Sequence, residues 1–208
     1  ISCISSSKEE ICGLLADYRE NNISHLVVLR GDIPSGEVTV GDFRHANELV
    51  AFIRQETGDW FEIEVAAYPE VHPEAQSSAS DLQHFKSKVD SGADGAITQY
   101  FYNPDAYFRF IDRCNALGIN IPIVPGVMPI YNYTQLSRFS SVCGAEIPRW
   151  LRSRLQDYSD DLPSLRSLGM DVVTDLCEQL LAGGAPGLHF YTLNQAGIIS
   201  TIVQRLGI

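Results

Sequence analysis

This 208-residue chain contains no C-x-x-C pair, and its five cysteines (Cys3, Cys12, Cys114, Cys143 and Cys177) are scattered and odd in number. That pattern argues against a disulfide framework or a zinc site and fits a reducing cytoplasm. Cations are also scarce, with 15 Lys and Arg against 26 Asp and Glu and a net charge of -11. General nucleic-acid binding needs a basic footprint, so that class is disfavoured. An anionic ligand held by a few local cations or by backbone amides stays possible. No apolar run approaches the ~18 residues of a membrane span, so no membrane partner is expected. The first residues carry no signal-peptide pattern. No G-x-G-x-x-G follows a strand-like run, which weakens a dinucleotide-binding open sheet.

What is present is alternation. Hydrophobic residues make up 45% of the chain, enough for one sizeable core. Five short apolar runs read as strands buried on both faces: 25–29, 63–67, 96–98, 121–124 and 188–193. Helical patterns separate them. Ser7 and Glu10 have capping-box spacing, followed by Ile11, Leu14, Leu15 and Tyr18 at helix period. Phe43, Ala46, Val50 and Ile53 form a second stripe, and Leu82, Phe85 and Val89 a third. Asn103 and Pro104 begin a fourth helix, with Tyr107, Phe108, Ile111 and Cys114 facing inward. A further helical piece spans Trp150 to Leu155, and a long helix ends at Gly183 and Gly184. Such alternation predicts βαβ units and a parallel sheet. Ile1 to Ile4 already look strand-like.

Polar clusters follow nearly every strand, as in a (βα)8 barrel whose active site is built from strand ends. The expectation is therefore an α/β TIM barrel lacking its first two strands and most of the third, with residues 1–208 as one domain. The clusters are Arg30-Gly31-Asp32, the loop from Tyr68 to Ala75, Gln99 to Tyr102, Pro125 to Tyr133, and His189 to Gln195. Glycine at position 31 permits close backbone approach, while a bland turn with a local ion pair is an equal alternative. The Tyr68 loop offers a ring, an imidazole and two stiffening prolines. One histidine flanked by carboxylates is a poor zinc set, and a planar ligand with phosphates suits it better. Gln99 can donate and accept at one ligand edge. The aromatic run after it can equally be packing, and His189 reads as a packed strand residue.

Taken together and in order, six segments resemble the methylenetetrahydrofolate reductase family: LRGD at 29–32, AAYPEVHPEA at 66–75, ITQYFYN at 97–103, PGVMPI at 125–130, IP before Trp150, and HFYTLN at 189–194. The resemblance implies a flavoprotein oxidoreductase. Its reaction takes 5,10-methylenetetrahydrofolate to 5-methyltetrahydrofolate with NADH or NADPH through FAD, in a ping-pong hydride transfer. By position it places Arg30, Gly31, Asp32, Tyr68, His72, Ala75, Asp81, His84, Ser87 and Lys88 at the flavin. It places Asp32, Gln99, Tyr133 and Gln195 at the substrate, and makes Asp32 the catalytic residue. A carboxylate there can tune the flavin and stabilise a cation developing on the folate. A homo-oligomer is implied as well.

Two departures from the family pattern stand out. Gln195 occupies a position where the family usually carries arginine, which would weaken a grip on an anionic substrate tail. The family's general acid, a glutamate on its first strand, is expected upstream of Ile1. Two other readings compete: a non-catalytic flavin- or folate-binding relic, and another barrel enzyme acting on a phosphorylated metabolite.

Overall fold

The computed structural model describes residues 1–31 and 41–208. In chain order the elements are α1 (Lys8–Glu20), β1 (His25–Val28), α2 (Ala46–Thr57), β2 (Glu62–Ala67), α3 (Ser78–Asp90), β3 (Gly95–Thr98) and α4 (Pro104–Ala116). There follow β4 (Ile123–Val124), β5 (Gly126–Val127), α5 (Tyr133–Cys143), α6 (Arg149–Asp157), α7 (Leu162–Ala182), β6 (His189–Phe190) and α8 (Ala196–Leu206). The described strands form a four-stranded sheet, β1-β2-β3-β4, and a two-stranded sheet, β5-β6. Backbone contacts divide the chain into two units interleaved in sequence. The first holds Ile1–Ala67, Leu82–Ala96 and Ile119–Pro122; the second holds Tyr68–Asp81, Ile97–Gly118 and Ile123–Ile208.

In the first unit the expected strand–helix alternation holds. Parallel β1 and β2 pair in register from His25 with Glu62 to Val28 with Val65. The opening residues run parallel to β1, with the Cys3 and Ile4 amides donating to the Leu29 and Arg30 carbonyls at 3.0 Å. The strand-like reading of Ile1 to Ile4 thus has a physical basis. The capping box of α1 is formed: the Glu10 amide donates to Ser7 Oγ at 3.2 Å and the Ser7 amide to Glu10 Oε2 at 2.8 Å. Leu49, Val50 and Ile53 of α2 and Ile63 and Val65 of β2 are fully buried in this unit.

Arg54 of α2 is the polar knot of this unit. Its guanidinium donates to the Gly92 carbonyl at 2.8 Å, the Phe61 carbonyl at 2.7 Å and the Gly58 carbonyl at 3.2 Å, and pairs with Asp94. The other call on Asp94 Oδ2 comes from the Ile63 amide, at 2.7 Å. One side chain therefore satisfies backbone groups on both sides of β2.

The second unit is built on Thr98, the buried last residue of β3. Its hydroxyl accepts from the Gly126 amide at 2.8 Å, and its carbonyl accepts from the Tyr191 hydroxyl at 2.9 Å. A Cβ on Gly126 would sit 2.1 Å from that carbonyl, so only glycine fits. Beyond it, β5 and β6 pair Gly126 with His189 and Val127 with Phe190. Asn103 caps α4 through the Asp105 amide at 3.1 Å, with Pro104 in its first turn. The buried face of α4 carries Tyr107, Phe110 and Cys114, whereas Phe108 and Ile111 are only half-buried, which corrects the expected stripe.

Other departures are local. The strand expected over 188–193 ends at Phe190, because Leu193 and Asn194 take positive φ values of 49° and 59°. The strand expected over 121–124 shrinks to its last two residues. Helix α5 lies partly where a loop was expected; its buried positions are only Leu136 and Ser140, too few to show a period. In α8 the β-branched run around Ile202 obscures the helical period in the same way.

Two predictions follow from this packing. Arg54→Met should lower the unfolding free energy in urea by about 2 kcal/mol, because the part-buried Phe61 and Gly92 carbonyls lose a charged donor, and Arg54→Lys should not fully restore it. Burial lifts the Cys114 and Cys177 thiols from 9.0 to about 12 and the Tyr107 phenol from 10.0 to about 12. The unfolded chain then sheds these protons first, so their stabilisation is full below pH 9.0 and is lost as pH rises toward about 12. Urea midpoints should fall from about pH 9 upward, and replacing Cys114 and Cys177 with alanine should lessen that fall between about pH 9 and pH 10.

Candidate functional site

The sequence-expected residues fall in both units, and each group is built by its own neighbours. In the first unit, Arg30 and Gly31 follow β1. Ser2 Oγ and Cys3 Sγ donate to the Arg30 carbonyl at 3.0 and 3.3 Å. Gly31 has φ 85°, and a Cβ there would lie 2.0 Å from Ser2 Oγ. The opening strand therefore clamps this turn, and glycine is required by both conformation and space. Asp32 lies outside the described residues.

Also in this unit, His84, Ser87 and Lys88 follow one another along α3. His84 is exposed, and Ser87 Oγ donates back to the Gln83 carbonyl at 3.0 Å. Lys88 Nζ donates to the Ala66 carbonyl near the end of β2 and lies 5.7 Å from the Phe85 ring centroid.

In the second unit, the Tyr68 loop is organised around His72. Its backbone amide donates to Asp81 Oδ2 at 2.9 Å, its carbonyl accepts from the Ala75 amide at 2.9 Å, and its Nδ1 accepts from the Glu74 amide at 3.0 Å. The ring packs edge-on to Tyr68, centroids 4.5 Å apart. Because Nδ1 is an acceptor, the neutral ring carries its proton on Nε2 and presents a donor there. Asp81 is thus a loop-positioning group. Glu70 accepts from the Glu146 amide at 2.8 Å, and burial raises its carboxyl above the usual range. Half-buried Ala75 closes the same loop.

Gln99 directly follows β3, half-buried, its Oε1 accepting from the Tyr100 amide at 3.0 Å. Beneath it lies a buried polar cluster. The Tyr100 hydroxyl meets Ser140 Oγ at 3.1 Å and accepts from Cys143 Sγ at 3.3 Å, and burial holds the phenol protonated far above its ordinary range. Tyr133 opens α5, capped by Asn132, and is half-buried. Gln195 precedes α8 with an exposed side chain. Tyr131, in the Pro125–Tyr133 cluster, has its hydroxyl committed to backbone. It is buried, and its hydroxyl reaches the Gln195 carbonyl at 2.9 Å and the Thr192 carbonyl at 3.3 Å.

A cavity of about 480 Å³ in the second unit is lined by Asn103, Pro104, Glu146, Trp150, Arg154 and Asp175 among others, and none of the expected site residues lines it. Among the described residues no group of three or more His, Cys, Asp or Glu is placed to hold a metal ion. No described helix is long and apolar enough to cross a membrane.

Parallel strands alternating with helices make this an α/β protein. The family model for methylenetetrahydrofolate reductase matches residues 1–207, and the chain belongs to that family. It is 40% identical over 208 residues to 5,10-methylenetetrahydrofolate reductase of Pectobacterium carotovorum subsp. carotovorum, covering all of this chain and 68% of that protein. The Escherichia coli (strain K12) 5,10-methylenetetrahydrofolate reductase is 39% identical, with 69% of it covered. An Arabidopsis thaliana relative, methylenetetrahydrofolate reductase (NADH) 1, is 39% identical over 221 residues, with 37% of it covered. Among solved structures, a Clostridium thermocellum protein described as binding two copies of 5-methyl-5,6,7,8-tetrahydrofolic acid superposes with TM-score 0.59 at 19% identity. It covers 97% of this chain and 68% of that one, and supports the fold.

The His72 geometry makes a direct prediction. In ¹⁵N NMR at neutral pH, His72 should show the Nε2–H tautomer, and Asp81→Ala should speed exchange of the His72 amide by about tenfold. An Nδ1–H tautomer would contradict the described loop.

Proposed function

We propose that this protein reduces 5,10-methylenetetrahydrofolate to 5-methyltetrahydrofolate with NADH or NADPH as hydride donor, in a ping-pong sequence. FAD would bind at the C-terminal strand ends of a (βα)8 barrel. The observation that supports this most is membership of the family across residues 1–207. FAD, when bound, supplies hydride transfer between nicotinamide and folate, and the protein's share is to hold and orient.

The donor set fits such a group. His72 offers an Nε2–H donor set by the Glu74 amide, suited to a phosphate or ribose oxygen. Lys88 and Arg30 supply local positive charge in a chain whose net charge is -11. Tyr68 offers an aromatic face, and Gly31 a turn with no side chain in the way of close approach. Ala75, Asp81, His84 and Ser87 complete the proposed cofactor group. Asp32 is proposed as the catalytic carboxylate, stabilising positive charge that develops on the folate. Gln99 would hydrogen-bond the pterin edge with its amide, Tyr133 would stack on folate and nicotinamide in turn, and Gln195 would meet the substrate tail.

The purified full-length protein should be yellow, bleach with NADH or NADPH, and regain colour on adding methylenetetrahydrofolate. Asp32→Asn should keep the flavin and slow the folate half-reaction at least about tenfold more than the nicotinamide half-reaction. A colourless protein, or equal slowing of both halves, would count against this reading.

A further inference from the structure

The chain between β6 and α8 makes an unusual turn. The Gln195 amide donates to the Thr192 carbonyl at 2.9 Å, closing four residues whose two central members, Leu193 and Asn194, both have positive φ. Asparagine tolerates that conformation, but leucine does not favour it. The turn therefore needs restraint from outside itself. Locally, the Asn194 amide donates to Thr192 Oγ1 at 3.2 Å. From another loop, the Tyr131 hydroxyl reaches the carbonyls of Thr192 and Gln195, the first and last residues of the turn, at 3.3 and 2.9 Å. Leu193 and Tyr131 also line one small cavity with Met128, Pro129 and Phe139.

Tyr131 lies two residues before Tyr133 and bonds the carbonyl of Gln195, so one buried hydroxyl ties together the two segments that carry these side chains. We propose that Tyr131 is a positioning residue for the folate substrate: its hydroxyl fixes the Thr192–Gln195 turn relative to the start of α5. This rests on the reading under Proposed function, in which Tyr133 and Gln195 meet the substrate. Tyr131 touches no reacting atom. Its effect is on how often the two segments stand ready together, and so on substrate affinity. Gln195 is assigned to the substrate tail alone, whereas nicotinamide would meet only Tyr133, so the folate half-reaction depends on this tie more than the nicotinamide half-reaction does.

Tyr131→Phe in the full-length protein keeps the ring and removes the hydroxyl. The KM for methylenetetrahydrofolate should rise about fivefold to tenfold with kcat within about twofold, and the rate of flavin reduction by NADH should fall less, by about twofold at most. In the ligand-free variant the Gln195 amide should exchange about tenfold faster. Adding Leu193→Asn, which relieves the unfavourable φ, should recover part of the lost protection and part of the KM. Unchanged KM in a normally active background overturns the role of Tyr131, as does equal damage to both half-reactions. A wild-type protein that does not turn over methylenetetrahydrofolate overturns the proposed function and the substrate assigned here. Amide exchange then still reports whether the hydroxyl holds the turn.

Discussion

Short strands leave backbone carbonyls unpaired at their ends, and satisfying those carbonyls inside a packed core is the constraint on which this structure rests. The chain meets it with long side chains that have polar tips. Arg54 takes the Phe61 and Gly92 carbonyls, and Lys88 takes that of Ala66. Tyr102 donates to the Met128 carbonyl at 3.1 Å, Tyr107 to Ile123 at 2.8 Å, and Tyr191 to Thr98 at 2.9 Å. Among the described residues, no buried side-chain nitrogen or oxygen lacks a partner. The raised pKa values of Tyr102, Tyr107 and Tyr191 are the electrostatic mark of the same arrangement, since a phenol taken from water resists ionisation.

The same device shapes the candidate site. Loops after strands would otherwise be loose, yet each expected segment is pinned by a specific donor or acceptor. The opening strand holds the turn at Gly31, Asp81 holds the His72 backbone, Asn132 caps the helix of Tyr133, and Tyr131 holds the turn before Gln195. Conformational entropy is thus spent on folding rather than on ligand capture, and what binds meets donors already oriented. His72 is the clearest instance, because a neighbouring backbone amide decides which of its nitrogens carries the proton of the neutral ring.

Much of this was legible in the residues. The capping box at Ser7 and Glu10 and the Asn103-Pro104 helix start depend on neighbours three residues apart or fewer, and both are formed. The apolar runs at β1, β2 and β3 marked buried parallel strands, and six ordered motifs marked the family. The misses share a cause. The end of β6, the length of β4 and the presence of α5 depend on contacts far along the chain, where local periodicity carries little signal. Phe110, not Ile111, faces inward on α4 because packing sets the helix's rotation, and two adjacent apolar residues leave that choice open.

By itself the sequence determined the kinds of element, their order, the family, and which side chains stand just after each strand, because these follow from local pattern and spacing. Tertiary structure alone decided which of those side chains are consumed in holding the fold. Asp81 and Tyr131 are the instructive pair: one was expected at the flavin and the other lies in a loop read for its aromatic rings, yet both bond backbone. Hydrogen bonds across 9 and 64 residues of chain depend on where folding brings the partners, and that is invisible until the chain is compact.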